Sequence, residues 1–450
     1  MTAAQTKKSR WPNFLSRGKV GSYLTVVMSG QIPYSSFEAF KGALLLPLCA
    51  TLGITEGQFG TLMGWIGIAM FLYVPGGWIN NRFQIKHILV AWCGWRLATY
   101  MIMFLVPNLS FKVMIAIAIS WAVWDAIGWP AVVNGVSFVT ADENTKGRGL
   151  AMGLLETIRR ASEMLMNLLV VGLIAWRPDN KETIMWIFAM AYALLLIPMI
   201  IALLKMVPAN AIAHEESHSD NLAALIGLGK VLVRPRVWLA GLSAMCVYWA
   251  YVHLIYASAP YMTIVFKASD GIAGAFGIFN TGLVGVFAGL VSGVVADYLF
   301  KSSTVMMAVS LSVTAVGAGL VYILPVNESA MWISMILLMV MAVGVFMGKA
   351  VILAPVAELH LPPAINGSAM AVGSFLAYAP VFWANPWAGK IVEQANKATS
   401  MEAAAPLFGK LFLVTIVVSI LGAACAFTLA FFNKKADNKL ETVPVGDSEN

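Results

Sequence analysis

Four charged residues lie within one long apolar stretch of this chain. The stretch runs from Leu150 to Trp176, and Glu156, Arg159, Arg160 and Glu163 follow one another at i, i+3, i+4 and i+7. On a helix this spacing places two acids and two bases on one face. A charge at the centre of a bilayer costs about 3 kcal/mol, so such a face should turn toward protein or water. The pattern predicts a binding or ion-pairing face inside a membrane protein.

Charged residues recur in other apolar stretches. Glu38 and Lys41 are spaced to pair on the first stretch, while Arg96 and Asp125 lie at similar depths and can neutralise each other. Lys349 has no obvious partner nearby in the sequence. The apolar stretches contain four acidic residues, Glu38, Asp125, Glu156 and Glu163. They contain five basic residues, Lys41, Arg96, Arg159, Arg160 and Lys349. An excess of one positive charge favours binding of an anion.

These residues form two candidate sets. The first would hold a substrate: Tyr34, Lys41, Arg159, Arg160, His253, Tyr256 and Lys349. The second would couple protons or pair with the cations: Glu38, Arg96, Asp125, Glu156 and Glu163. Structural interpretations stay open for both sets, because buried ion pairs can simply hold helices together and a lysine can extend its amine to the membrane interface. His253 is either a pore-lining, proton-responsive group or a packed histidine.

The composition indicates an integral membrane protein. Hydrophobic residues make up 60% of the chain, charged residues only 11%, and the mean hydropathy is +0.79. Soluble domains carry about 25% charged residues. Apolar runs of about twenty residues, long enough to span a bilayer, occur twelve times; the second begins at about Phe59, the seventh extends from about Val237 to Phe266, and the last extends from about Leu407 to Phe432. Because an open sheet cannot satisfy its backbone in lipid, we expect all twelve to be helices.

The runs are arranged as two halves of six. Gly128 and Gly348 are 220 residues apart, as are Gly147 and Gly367. Repeated spacing of this kind predicts duplicated six-helix bundles. The predicted organisation is an N-terminal segment (1–20), a first bundle (21–207), a connector (208–236), a second bundle (237–433) and a disordered tail (434–450).

Lys and Arg residues concentrate in the segments that an intracellular amino terminus would place in the cytoplasm. This bias predicts a multi-pass protein of the cytoplasmic (inner) membrane with both termini cytoplasmic. It also accounts for the formal net charge of +7 without nucleic-acid binding. We expect a monomer surrounded by membrane lipid.

Enzyme chemistry is poorly supported. His214 and His218 fit an H-E-x-x-H zinc pattern, but they stand in a short polar connector with no third ligand in sight. The four cysteines are scattered without paired spacing. We therefore predict no enzyme activity, no metal site and no cofactor.

The loop after the second apolar run resembles the marker of the major facilitator superfamily, which is a Gly followed by an Asp-Arg pair. Here Gly77 is followed by Asn81 and Arg82, so an amide replaces the acid; the second half keeps Gly293 and Asp297 but lacks the Arg. The resemblance implies a twelve-helix, all-α fold of two pseudo-symmetric bundles, with these five residues as a gating motif.

A narrower resemblance covers about fifty residues. The segment from Asp125 to Pro130, with Gly128-Trp129-Pro130, is similar to the organophosphate/phosphate antiporters and anion:cation symporters. On that alignment Arg159 falls near a substrate-contacting His. Those antiporters hold phosphate between two Arg residues, where this chain has Lys41 and His253. A carboxylate or sulfonate is therefore favoured over a phosphate ester, which suits a bidentate guanidinium.

Together these features predict a secondary active transporter of a small polar organic anion, such as a carboxylate, sugar acid or sulfonate. We expect alternating access with proton or sodium symport, or exchange. One alternative is an exporter of amphipathic compounds, which would need a larger apolar cavity and fewer fixed cations. Another is a solute sensor built on a transport fold, although the connector and tail are short.

Overall fold

The computed structural model describes residues 19–80, 82–140, 145–208, 229–359, 361 and 363–441, and within these ranges it contains helices and no strands. This agrees with the predicted all-α class. The described residues before the connector form nine α-helices: α1 Val20–Ser35, α2 Leu45–Leu52, α3 Glu56–Ile66, α4 Ala69–Asn80, α5 Ile85–Leu105, α6 Phe111–Val139, α7 Thr145–Trp176, α8 Lys181–Leu194 and α9 Leu196–Met206.

The helices from Pro235 onward form the second part of the chain. They are α10 Pro235–Ile264, α11 Asp270–Ile278, α12 Val284–Val294, α13 Ser303–Ile323, α14 Met331–Ala350, α15 Ala354–Ala357, α16 Pro363–Tyr378, α17 Val381–Asn396 and α18 Met401–Glu441. In the described ranges, eight helical segments are long and apolar enough to cross a membrane. Several of the remaining predicted spans are built from two shorter helices in succession.

The tail differs from the prediction at its start. Disorder was expected from residue 434, but helix α18 continues to Glu441. The eight residues concerned, 434–441, include Lys, Ala, Leu and Glu, which are good helix formers and extend a helix already nucleated in the membrane. Most of the connector, including the H-E-x-x-H pattern at His214, lies outside the described residues.

The chain divides into two compact units by its internal contacts. Unit 1 comprises residues 1–55 and 65–217, and unit 2 comprises residues 56–64 and 218–450. The first turns of α3 thus pack with the second unit. There Gly60 allows a backbone contact, since a Cβ on it would lie 2.4 Å from the carbonyl oxygen of Asn385.

The first span of unit 1 is broken. A 3-10 turn, Glu38–Lys41, separates α1 from α2 and leaves backbone carbonyls without helical partners. Buried side chains supply the missing donors: Arg96 Nε donates to the Pro33 carbonyl (2.8 Å), Tyr100 to Ser36 (2.5 Å) and Asn167 to Ala39 (3.1 Å). An irregular backbone at membrane depth is tolerated because protein groups satisfy it.

Close helix packing in unit 2 depends on small residues. A Cβ added at Gly317 of α13 would lie 2.6 Å from the Met341 nitrogen of α14, and one added at Gly344 would lie 2.6 Å from the Thr314 nitrogen. The two backbones therefore approach each other at reciprocal glycines, as small residues permit in membrane helices. Helix α10 lies deep in this unit, with 61% of its apolar window buried.

Candidate functional site

Arg159 on α7 is held by residues of α1 and α6. Its Nε donates a hydrogen bond of 3.0 Å to the Gln31 side-chain oxygen. Its guanidinium carbon lies 4.3 Å from the centre of a Trp129 ring and 5.3 Å from the Tyr34 ring. Stacking on an aromatic face attracts the cation while the guanidinium edge keeps its directional donors. The structure thus brings Tyr34 and Arg159 together, as expected of a binding site.

Contacts on either side of Arg159 position helix α7. The Tyr23 hydroxyl donates to the Ala151 carbonyl (2.6 Å), eight residues before Arg159, and Asn167, eight residues after it, donates to Ala39. Both contacts are to the first span. The depth of Arg159 relative to Gln31 is therefore set by packing along sixteen residues of α7.

The other three charged residues of this α7 face, Glu156, Arg160 and Glu163, are only partly described. Arg160 and Glu163 are half-buried, and the Glu156 side chain lies outside the described residues. Lys41 is half-buried at the end of the 3-10 turn. That the two acids and two bases on this face of α7 neutralise one another stays a prediction.

Arg96 and Glu38 form a buried ion pair. Arg96 Nη2 donates to both oxygens of Glu38, at 2.8 and 2.6 Å, and the two residues are 0% and 2% exposed. The guanidinium also lies 4.1 Å from the Trp121 ring centre. Two fully desolvated charges joined by two hydrogen bonds are typical of a structural pair, although Arg96 Nη1 has no hydrogen-bond partner among the described residues.

This pairing corrects one expectation. The sequence suggested that Glu38 pairs with Lys41, assuming an unbroken first helix, but the 3-10 turn rotates Glu38 toward Arg96 on α5. Asp125 lies near enough to Arg96 to interact with it electrostatically and also accepts a hydrogen bond of 2.9 Å from Trp92 Nε1. Gly128 makes room for this indole, since a Cβ there would lie 2.3 Å from the Trp92 ring.

Lys349 is the candidate cation of unit 2. Its amine lies 3.4 Å from the centre of the Tyr251 ring, 5.8 Å from Tyr248 and 6.0 Å from Phe346. A cation–π contact contributes about 0.5–2 kcal/mol depending on how far it is desolvated, and Lys349 is half-buried. The amine is thus directed onto an aromatic surface of α10.

His253 lies in a hydrogen-bonded chain. Trp249 Nε1 donates to its Nε2 (3.0 Å), and its Nδ1 lies 2.9 Å from the Thr415 hydroxyl, which itself donates to the Leu411 carbonyl. Nδ1 must therefore carry the hydrogen, and both ring nitrogens are occupied. His253 is 1% exposed and Tyr256 is 0% exposed. This geometry matches the packed-histidine interpretation.

The gating motif is described only in part. Asn81 lies outside the described residues, and only the backbone of Gly77 and Asp297 is described. Arg82 is exposed, and a Cβ added at Gly293 would meet no heavy atom within 4 Å. The role of these five residues stays a prediction.

Gln31 and Trp129 contact Arg159, although neither was selected as a site residue from the sequence. Trp129 belongs to the Gly-Trp-Pro segment noted above, so its position was signalled. Gln31 precedes Tyr34 by one helical turn on α1, which places the two on one face. A polar amide in an apolar run was the only sequence signal for it.

Comparisons with known proteins are consistent with this architecture. The chain is 21% identical over 388 residues to the inner membrane protein YihN of Escherichia coli (strain K12), covering 84% of this chain and 89% of YihN. Two solved structures share the fold. A bacterial homolog of the human lysosomal transporter Spinster, inward-facing and occupied, has a TM-score of 0.66 at 15% identity, covering 92% of this chain and 97% of that one. The nucleoside transporter NupG has a TM-score of 0.67 at 11% identity, covering 91% and 98%.

A family model supplies the assignment. The model described as Major Facilitator Superfamily matches residues 28–384, which is well over half of the chain. That range includes α10 and most of both predicted bundles. The predicted fold and the prediction of a transporter rather than an enzyme are thereby confirmed. This chain belongs to the major facilitator superfamily and is a multi-pass membrane transporter.

Proposed function

We propose that this protein is a secondary active transporter of a small polar organic anion of the carboxylate, sugar acid or sulfonate type. The observation that carries the proposal is Arg159, an intramembrane cation held by Gln31 and stacked on Trp129. An intramembrane ionisable residue of this kind is by default a functional-site hypothesis. The name of the relative YihN states no substrate, so the proposal rests on the residues.

Arg159 is suited to an oxyanion. Its planar guanidinium can present two parallel N–H donors to a carboxylate or sulfonate, and the neighbouring aromatic rings exclude water from its face. Lower local polarity strengthens each such contact. Arg160 and Lys41 belong to the same proposed set.

Lys349 is the proposed cation of the second unit. Its amine carries three donors as a compact charge, and the Tyr251 ring orients it. The phosphate antiporters that the sequence resembles hold their substrate between two Arg residues, and this chain has Lys41 and His253 at the corresponding positions. This favours carboxylates and sulfonates over phosphate esters.

The proposal also covers ion coupling and the location of the protein in the membrane. Asp125, Glu156 and Glu163 are proposed to couple protons or to position the cations, while Glu38 and Arg96 act as a structural pair. We leave His253 out of the binding set, because both of its ring nitrogens are hydrogen-bonded within the protein, and we keep Tyr256 as a proposed binding residue. We further propose an inner-membrane location, cytoplasmic termini and proton or sodium symport or exchange.

The first test is ligand binding. Purified protein would be screened by thermal shift against sugar acids, small carboxylates, sulfonates and phosphate esters, because a ligand of the folded state raises the Tm. Labelled ligand uptake into proteoliposomes then separates a transporter from a sensor.

Matched variants identify the site. Arg159→Gln should abolish uptake, whereas Lys397→Gln, which neutralises an exposed cation paired with Glu393, should leave it unchanged. Stabilisation by amphipathic cations or neutral compounds, with no response to any anion, would overturn the proposal.

A further inference from the structure

Gln31 is oriented by Arg159. Its side-chain oxygen accepts the hydrogen bond from Arg159 Nε at 3.0 Å, and the residue is 0% exposed. A guanidinium is a donor only, so the carbonyl end of the amide must face it. The NH2 group of Gln31 therefore points away from Arg159 Nε while staying within the same cluster.

That NH2 group lacks an acceptor. Among the described residues, Gln31 Nε2 is a buried side-chain donor with no hydrogen-bond partner. Leaving such a donor unsatisfied costs about 1–3 kcal/mol. Native proteins satisfy most buried polar groups, so an orphan donor calls for an explanation.

Neighbouring polar groups on α1 are satisfied by the protein. The Ser29 hydroxyl donates to the Val26 carbonyl (2.7 Å), and the Ser35 hydroxyl donates to the Gln31 carbonyl (2.6 Å). Gly30 brings the helix close to α6, since its Cβ would lie 2.8 Å from Val132. The helix is thus closely packed around Gln31, and these two neighbouring hydroxyls, unlike the Gln31 NH2 group, have acceptors within the described part of the protein.

We propose that Gln31 Nε2 donates a hydrogen bond to the transported anion, beside the Arg159 guanidinium. The amide would supply a neutral donor and the guanidinium a charge-assisted donor to the same oxyanion. The inference rests on the proposed function and adds a binding residue to it.

The test compares Gln31 variants with a buried-amide control. Binding of gluconate, lactate, ethanesulfonate and glucose 6-phosphate would be measured for purified wild type, Gln31→Ala and Gln31→Glu. We expect the tightest-binding monoanion to lose about 10- to 100-fold in affinity in Gln31→Ala, as for the loss of a hydrogen bond to a charged group. Gln31→Glu should bind no anion, because its carboxylate would pair with Arg159.

The control is Asn167→Ala, which removes a buried amide of α7 that donates to Ala39. It should lower the Tm but keep the anion affinity of the folded protein. Gln31→Glu retains a partner for Arg159 and so should fold even if Gln31→Ala does not.

The outcomes separate the two proposals. If wild type binds a monoanion and Gln31→Glu binds it equally well, the Gln31 inference is wrong while the anion proposal stands. If wild type prefers glucose 6-phosphate to every monoanion, the proposed substrate class of carboxylates and sulfonates is wrong. If wild type binds none of the four, the proposed function itself fails.

Discussion

Asn396 Nδ2 donates a hydrogen bond of 2.9 Å to the Glu56 carboxylate, joining the end of α17 to the start of α3 across 340 residues of sequence. Both residues belong to unit 2. Glycines allow the contact, since a Cβ on Gly389 would lie 2.4 Å from the Glu56 carbonyl oxygen. Glu56 is 7% exposed and precedes the apolar run that begins at about Phe59.

We expect the folded protein to lose stability as pH rises and the buried Glu56 ionises. Burial raises the pKa of Glu56 above its ordinary value, with a smaller opposing effect of the Asn396 hydrogen bond. A raised pKa in the folded state means that the stabilisation is complete below the ordinary pKa and is lost as pH rises through the raised one. Thermal unfolding of wild type and Glu56→Gln between about pH 4 and about pH 8 should show the wild type losing stability relative to the variant. Parallel pH profiles would contradict this.

The Arg96–Glu38 pair should be costly to break from one side. Glu38→Gln leaves a buried guanidinium without its counter-charge and should destabilise the protein by about 3–5 kcal/mol. The double variant Arg96→Met with Glu38→Leu removes both charges and should recover part of this loss. Denaturant unfolding of the wild type, Arg96→Met, Glu38→Leu and the double variant forms a double-mutant cycle. Additive losses would show that the two residues act independently.

Gly344 should resist even a methyl group. An added Cβ would lie 2.6 Å from the Thr314 nitrogen, so Gly344→Ala should separate α13 from α14 and cost about 1–3 kcal/mol. Gly319→Ala on α13 is the matched control, because a Cβ there meets no heavy atom within 4 Å. That control should be neutral or slightly stabilising, since Ala is the better helix former. Equal Tm changes in the two variants would count against the packing argument.

The two proposed cations of separate units should both affect anion uptake. Arg160→Gln and Lys349→Met should each lower uptake by about tenfold or more, corresponding to loss of one charge-assisted hydrogen bond. Lys349→Arg keeps the charge over Tyr251 and should retain part of the activity. Initial rates in proteoliposomes, normalised to folded protein, provide the measurement. Full activity of Lys349→Met would remove that residue from the site.

Helix positions were largely predictable from sequence because they depend on local apolar content. The apolar run at about Val237 to Phe266 corresponds to α10 at Pro235–Ile264, and the last predicted span lies within α18. A segment that spans the bilayer needs a minimum number of apolar residues and must satisfy its own backbone hydrogen bonds as a helix. The positions of such helices can therefore be predicted from local composition. The facilitator resemblance, which rests on short motifs around Gly77 and Gly293, was confirmed by the family match, while the narrower resemblance around Asp125 stays a prediction.

The partners of the charged residues could not be read in the same way. Helical spacing implied that Glu38 pairs with Lys41, but the 3-10 turn after α1 directs Glu38 to Arg96. Such a break depends on donors supplied from distant helices, among them Asn167 on α7. The sequence by itself determined that this chain crosses a membrane as helices and carries cations within it, since these follow from residue type and local order. Only the tertiary structure decided which cation stacks on Trp129 and which amide supports it, because those contacts join residues far apart in the chain.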